Sequence, residues 1–371
     1  MTKPVLIVMG TRPEAIKLAP VFRALRERPE FSVFVAVTGQ HRELLADTLA
    51  ALQIVPDFDL KLMQAGQSQF DLIGAMLPGL AGVMASVMPA WVIVQGDTAT
   101  AFVGALAAYL RQTPVAHVEA GLRTGDKYGP FPEEVYRRLI ADIADLHFAP
   151  TPRAVSNLLA EGVAEGQIHL TGNTAIDSLH WVLKHVAPVW PEALATHAAS
   201  LMNGRLVLVT CHRRESFGAD ISEIMQAVAS LARRFDTTHF VFPVHPNPQV
   251  MGPAHEILGA LSNVHLTAPL DYPAFAHLLA RCYLVMTDSG GVQEEAVELG
   301  RPTVVMRKVT ERQEGVDAGT AVLAGVEGAA IVECVARLLD DQAAYARLAV
   351  RASVYGEGDA AQKLAQILAA Q

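Results

Sequence analysis

The chain has 371 residues, 51% of them hydrophobic and 6% aromatic, with a formal net charge of −9 at pH 7. That balance excludes a disordered chain and suits an Ala/Val/Leu-rich α/β core spread over two domains of ordinary size. No Lys/Arg run exceeds two, which argues against a nucleic-acid partner, and the widely spaced Cys211, Cys282 and Cys334 form neither a disulfide framework nor a metal motif.

The opening residues are too short and abrupt for a signal peptide. The most apolar stretch, 79–94, is broken by Pro89 and falls short of a membrane span. With cysteine usage that suits a reducing compartment, a cytoplasmic chain without a membrane partner is expected.

Residues 5–9 predict a buried strand, and G-T-R-P-E turns it into a helix started by Pro13. Lys17 lies one helical turn beyond Pro13, so Arg12 and Lys17 can both reach the helix N-terminus and form an anion site. An ordinary strand–helix turn with solvated charges explains the same residues. There is no G-x-G-x-x-G here, so the dinucleotide fingerprint is absent. A second strand, 31–37, ends in T-G-Q-H-R, and His41 and Arg42 open the next helix. Asp57-Phe58-Asp59 matches the D-x-D of some sugar transferases, a pattern common by chance and flanked here by an ordinary loop.

Residues 91–134 organise the rest. Two apolar runs, 91–94 and 115–118, end in Asp97 and Glu119, with a helical segment, 98–111, between them. In open parallel sheets, ligands bind beyond the carboxyl ends of the strands. Glu133-Glu134 adds a third acidic cluster. Three acids at one crevice repel each other, so a fold keeps them there for chemistry or leaves them in solvent. An amphipathic helix follows at 133–144 with Arg137 and Arg138, then strands at 146–149 and 168–171, the second running into G-N-T-A-I-D.

Residues 185–203 hold Pro188 and Pro191, show no clear period, and are the candidate boundary region. The domains are expected at 1–170, together with a returning C-terminal helix at 358–371, and at 171–357. Strands at 205–210, 239–244, 283–286 and 303–306 end in C-H-R-R-E-S, H-P-N-P, T-D-S-G-G and R-K-V-T-E-R. The expected fold class is α/β, with two Rossmann-like domains facing across a cleft.

Asp288-Ser289-Gly290-Gly291 before a helix suits a phosphate, because glycines allow close backbone approach and the helix dipole favours negative charge. Glu294 and Glu295 follow in the first turn, where a carboxylate can accept from both ribose hydroxyls. A capped helix start with dipole-favoured acids explains the same residues. His212, Arg213 and Arg214 could hold a diphosphate. His245 is a second strand-end histidine, of a kind more often structural. Zinc spacing is missing, and no metal is expected.

The segments G-T-R-P-E-A-I-K, T-G-Q-H, Q-G-D-T, H-V-E-A-G-L-R-T, P-F-P-E-E, T-G-N-T, H-R-R-E, D-S-G-G-V-Q-E-E-A and T-E-R, in this order, resemble the non-hydrolysing UDP-N-acetylglucosamine 2-epimerases of bacteria. The resemblance runs from Gly10 to about Gly325. It implies a GT-B-like architecture shared with B-type glycosyltransferases, a homodimer, and interconversion of UDP-GlcNAc and UDP-ManNAc without a cofactor. By motif, Asp97, Glu119, Glu133 and His212 fall on the family's catalytic positions. Arg12, Lys17, Ser289, Gly290, Gly291, Glu295 and Arg312 fall on nucleotide-sugar contacts, and Phe275 on a position near the uracil. Family members hold a second, activating UDP-GlcNAc, for which the matching residues are Gln40, Arg213 and His245.

The implied route is anti elimination of UDP to a 2-acetamidoglucal and re-addition to the opposite face, serving cell-surface polysaccharide precursors. The C2 proton becomes acidic only as departing UDP leaves positive charge at C1. Cations should therefore hold the diphosphate, and carboxylates should stabilise the sugar cation and move the proton. Tyr136, Ser216 and Gln313 replace the family's usual Asn, Asn and Pro. Tyr136, one helical turn after Glu133, could face the sugar or pack into the helix. The same chemistry on a modified UDP sugar, such as a UDP-2,3-diacetamido uronic acid, and a B-type UDP-sugar glycosyltransferase are the alternatives.

Overall fold

This computed structural model describes residues 2–39, 42–62, 67–213 and 217–371. The chain forms two compact units, Met1–His180 with Tyr355–Gln371, and Trp181–Val354. The first unit contains β1 (Lys3–Met9), β2 (Phe31–Val37), β3 (Phe58–Asp59), β4 (Trp91–Gln95), β5 (Val115–Val118), β6 (Leu146–Ala149) and β7 (Ile168–Leu170). They form a parallel sheet in the order β3-β2-β1-β4-β5-β6-β7. The second contains β8 (Arg205–Thr210), β9 (Thr238–Pro243), β10 (Val264–Thr267), β11 (Leu284–Thr287), β12 (Thr303–Val305) and β13 (Ala321–Leu323). Their order is β10-β9-β8-β11-β12-β13, again all parallel.

Both units are therefore Rossmann-like, each with the strand order of a doubly wound sheet. The order reverses between β1 and β4 and between β8 and β11. These switch points open a crevice at the carboxyl ends of the strands; Asp97 follows β4 and Asp288-Ser289-Gly290-Gly291 follows β11. The central strands are short runs of Val, Leu, Ile and Met with almost every side chain buried, as parallel strands covered on both faces require.

Three strands escape a reading by periodicity: β3, β10 and β13 have two to four residues each. The D-x-D segment supplies β3. Asp57 Oδ2 accepts from Val35 N at 2.8 Å and Asp59 Oδ1 from Lys61 N at 3.1 Å, so these acids stitch a sheet edge.

The apolar stretch 79–94 is divided between β4 and a helix, Gln69–Val87, that is long and apolar enough to cross a membrane by length and composition. That helix buries Leu72, Met76, Leu80, Val83 and Met84, at helical spacing, in the core beside β1 and β4.

The segment 185–203 is not an open linker. It forms helices Glu192–Ala195 and Ala198–Asn203, whose Leu194 and Leu201 are fully buried with Val241, Leu279 and Val285. The chain passes between units inside the helix Thr174–His185, later than the expected residue 170. The C-terminal helix Ala360–Ala370 belongs to the first unit, where Asp177 Oδ1 accepts from Ala361 N at 2.9 Å.

Candidate active site

In the first unit, a buried carboxylate joins the turns after β1 and β4. Thr11 N-caps the helix Arg12–Arg26 in a capping box with Glu14, and Glu14 Oε1 accepts from Thr98 Oγ1 at 2.7 Å. Thr98 in turn N-caps the helix Ala99–Leu110. Burial pushes the Glu14 carboxyl up, against bonds from Thr98, Thr11 and Gly10. Arg12, the first helical residue, stands beside this turn.

Asp97 follows Gly96, whose φ of +70° makes the turn after β4. His117 Nε2 donates to Gly96 O at 2.7 Å, and Gly96 N donates to Val118 O at 2.9 Å. Burial drives the His117 pKa down to about 3, so the ring is neutral and its proton sits on Nε2. Arg137 Nη2 donates to Asp97 Oδ2 at 2.5 Å, while Arg137 Nη1 lies 3.3 Å from Glu134 Oε2. Fully buried Glu134 also accepts from Thr124 N at 3.1 Å and Gly125 N at 3.2 Å. Glu133 starts the same helix, Glu133–Ile143, one turn before Arg137. It is half-buried and makes no hydrogen bond or ion pair among the described residues.

Glu119 adopts a left-handed backbone, φ +62°, which costs a non-glycine residue about 1–2 kcal/mol. Its carboxylate is engaged from three segments. Lys17 Nζ lies 2.5 Å from Oε1, Asn173 Nδ2 donates to the same oxygen at 3.1 Å, and Gln95 Nε2 donates to Oε2. Lys17, matched by motif to a nucleotide-sugar contact, is thus paired with a buried acid of its own unit. Tyr136 stacks on Phe102, with centroids 5.1 Å apart and planes within 6°, in the first unit's core. Its ring packs between helices, and burial together with the nearby Glu133 pushes its phenol up.

In the second unit, the fully buried Asp288 organises the turn after β8. Its Oδ2 accepts from His212 N at 2.7 Å and Arg213 N at 2.8 Å, and its Oδ1 lies 3.3 Å from His212 Nδ1. Burial, with Arg213 and Arg307 nearby, pushes the His212 imidazole below its ordinary value against the pull of Asp288. His245 stacks 5.9 Å from His212, centroid to centroid.

Ser289 is the N-cap of the helix Gly290–Glu298 but makes no side-chain cap bond, so the simple capping explanation of Asp288-Ser289 fails. Gly290 backs onto Arg312: an added Cβ would lie 3.1 Å from the guanidinium carbon. Arg312 Nε donates to Glu294 Oε1 at 2.8 Å and its Nη1 lies 3.1 Å from Glu311 Oε1. Burial would raise the Glu311 carboxyl, but Arg312, Arg213 and Arg307 hold it far below its ordinary value. Glu295 Oε1 accepts from Tyr272 OH at 2.7 Å. Phe275 is partly buried on the same helix as Tyr272.

Gln40, His41, Arg214, Glu215 and Ser216 lie outside the described residues. Among those described, no group of three His, Cys, Asp or Glu is disposed to hold a metal ion. Sequence reasoning missed the partner residues. Arg137 was visible only as a helix charge, and Gln95 and Asn173 only as letters within motifs; Glu134 and Asp288 were singled out, in an acidic cluster and a phosphate-type turn, but not for the partners they hold.

The family model described as UDP-N-acetylglucosamine 2-epimerase matches residues 23–369. A Yersinia pestis protein of the same name is 46% identical over 367 residues, covering 98% of each chain. A crystal structure of UDP-GlcNAc 2-epimerase from Neisseria meningitidis, bound to UDP-GlcNAc, superposes with a TM-score of 0.93 at 38% identity, covering 99% of this chain and 100% of that one. S. aureus MnaA, solved with UDP, gives 0.92 at 38% identity, covering 99% and 96%.

Proposed function

Because the chain belongs to the UDP-N-acetylglucosamine 2-epimerase family, and is therefore an epimerase, we propose that it interconverts UDP-GlcNAc and UDP-ManNAc by inverting C2. One observation carries this reading: Asp97 and Glu119 extend from adjacent strands, with Glu133 one helical turn from the Arg137 that holds Asp97. Acids grouped in this way suit a reaction in which positive charge develops on a sugar.

In this reading the bond from C1 to UDP breaks with its electrons leaving on the diphosphate. The positive charge at C1 acidifies C2, and a carboxylate takes the C2 proton to leave a 2-acetamidoglucal. UDP then returns to C1 while a proton is delivered to the opposite face of C2. His212, Arg12 and Arg312 would steady the diphosphate, with Ser289, Gly290 and Gly291 offering an uncapped helix N-terminus. Glu295 would take the ribose and Phe275 the uracil. The relatives solved with UDP-GlcNAc and with UDP support a UDP-sugar substrate.

The same reading includes substrate activation through Arg213, His245 and Gln40, a cytoplasmic site of action on polysaccharide precursors, and a homodimer. Exposed Phe70, Tyr109 and Leu110, on neighbouring helices of the first unit, offer apolar surface for a second copy.

The test is proton NMR of UDP-GlcNAc with the protein in deuterated water, without added NAD or metal. Deuterium should enter at C2 of both sugars. Retention of the C2 hydrogen during turnover, or a need for NAD, overturns the elimination route.

A further inference from the structure

We propose that Lys17, Gln95 and Asn173 are positioning residues that keep Glu119 an ionised, immobile carboxylate, so that Glu119 acts on the sugar as a fixed negative charge and not as the carrier of the C2 proton. The inference rests on the C2-epimerase reading above.

The three donors come from the first helix, the end of β4 and the loop after β7, and all are buried. The Asn173 amide has one possible orientation. Its Oδ1 accepts from Ala175 N at 3.0 Å, so its NH₂ must face Glu119, and its backbone N is held by Tyr355 O at 2.6 Å. A proton on Glu119 Oε1 would point at an ammonium and an amide NH₂, both of which can only donate. The strained φ of +62° and the three bonds together leave the carboxylate little room to turn.

Other charged or titratable groups nearby do not replace this clamp. Asp97, two residues beyond Gln95, is held by Arg137, and His117, on the strand that leads into Glu119, is held neutral by burial. Glu133 differs in kind. It is half-buried and unbonded among the described residues, so it can accept a proton and turn. In the elimination, the C2 proton passes to Glu133, the C2–H electron pair becomes the C1=C2 bond, and the C1–O pair leaves with UDP.

The experiment compares wild type with Asn173→Asp, Asn173→Ala and Gln95→Glu. The initial rate of C2 deuterium incorporation into UDP-GlcNAc is followed from pH 5 to 9, with UDP affinity and thermal melting as controls of folding. An acid placed against Glu119 should make it hold a proton near neutrality. In Asn173→Asp and Gln95→Glu the acid limb of kcat should rise by at least about one pH unit, cutting kcat at pH 6 about tenfold. KM and UDP affinity should change less than about threefold, and Asn173→Ala should lose rate without that shift. Folded acidic variants with the wild-type acid limb overturn the clamp. Should both acidic variants fail to fold, Asn173→Ala decides: near-wild-type kcat overturns the clamp, and a loss of kcat at unchanged KM and UDP affinity upholds it. A wild-type protein that exchanges no C2 hydrogen overturns the epimerase reading, and the clamp with it.

Discussion

Arg137 Nη2 lies 2.5 Å from Asp97 Oδ2, joining residues forty positions apart, and the same guanidinium stands 3.3 Å from fully buried Glu134. Arg137 thus neutralises Asp97 and shares Glu134 with Arg138, whose Nη2 donates to Glu134 Oε1 at 3.2 Å, where a sugar cation is proposed to form. Removing one partner of a buried ion pair leaves an uncompensated charge and costs about 3–5 kcal/mol. Arg137→Met should therefore lower the unfolding free energy by about 3 kcal/mol, since Asp97 keeps some solvent contact, and should reduce kcat at least tenfold. Denaturant unfolding and C2 deuterium exchange check both halves of the expectation.

The three candidate acids should each matter to turnover. Asp97→Asn, Glu119→Gln and Glu133→Gln should lower kcat by about 10²-fold or more while UDP affinity survives. A variant that turns over near normally, measured by the same exchange, removes that residue from the catalytic set.

Gly290 gives a test in the second unit. A Cβ there would sit 3.1 Å from Arg312 Cζ and 3.2 Å from its Nε, displacing the guanidinium from Glu294. Gly290→Ala should weaken UDP binding about tenfold, read by calorimetry. Ser289→Ala should have a smaller effect, because Ser289 makes no capping bond whose loss would disturb the helix.

Asp177 predicts how stability depends on pH. Burial pushes its carboxyl up to about 6, against bonds from the backbone of Ala361 and Ala360, and its Oδ2 is buried without a partner among the described residues. Between about pH 4 and 6 the folded state holds a proton that the unfolded chain releases. This contribution is fully present below the unfolded value and is lost as pH rises through 6, by up to about 3 kcal/mol. Asp177→Asn can still accept from Ala361 N. It should be flatter across this window and more stable than wild type at pH 7.5, as urea unfolding would show.

If Arg213 and His245 hold an activating nucleotide sugar, UDP-ManNAc alone should react slowly until a trace of UDP-GlcNAc is added. In His245→Ala the added trace should no longer speed the reaction. Equal initial rates for wild type with and without the trace would remove the regulatory site.

Much of the molecule is determined by sequence alone. Central strands announce themselves as short apolar runs, and the acids and glycines at their ends follow from turn chemistry, so Asp97, Glu119 and Asp288-Ser289-Gly290-Gly291 could be named before any coordinates. The ordered motifs carried the family as well. Periodicity could not find β3 or β13, whose two and three residues are too few to show a period, and the prolines of 185–203 marked a candidate boundary although Leu194 and Leu201 seal a core.

Only the tertiary structure decided how the charges are matched. Lys17 meets Glu119 across 102 positions, Asn173 meets it across 54, and Asp288 reaches back 76 to hold His212. Local pattern encodes period and turns. Which strand lies beside which is set by the crossovers, and crossovers bring together residues that no spacing in the chain connects. The same limit hid one neighbour of Tyr136: its place in the helix put it near Glu133, but only the fold shows Phe102 of another helix stacked on its ring.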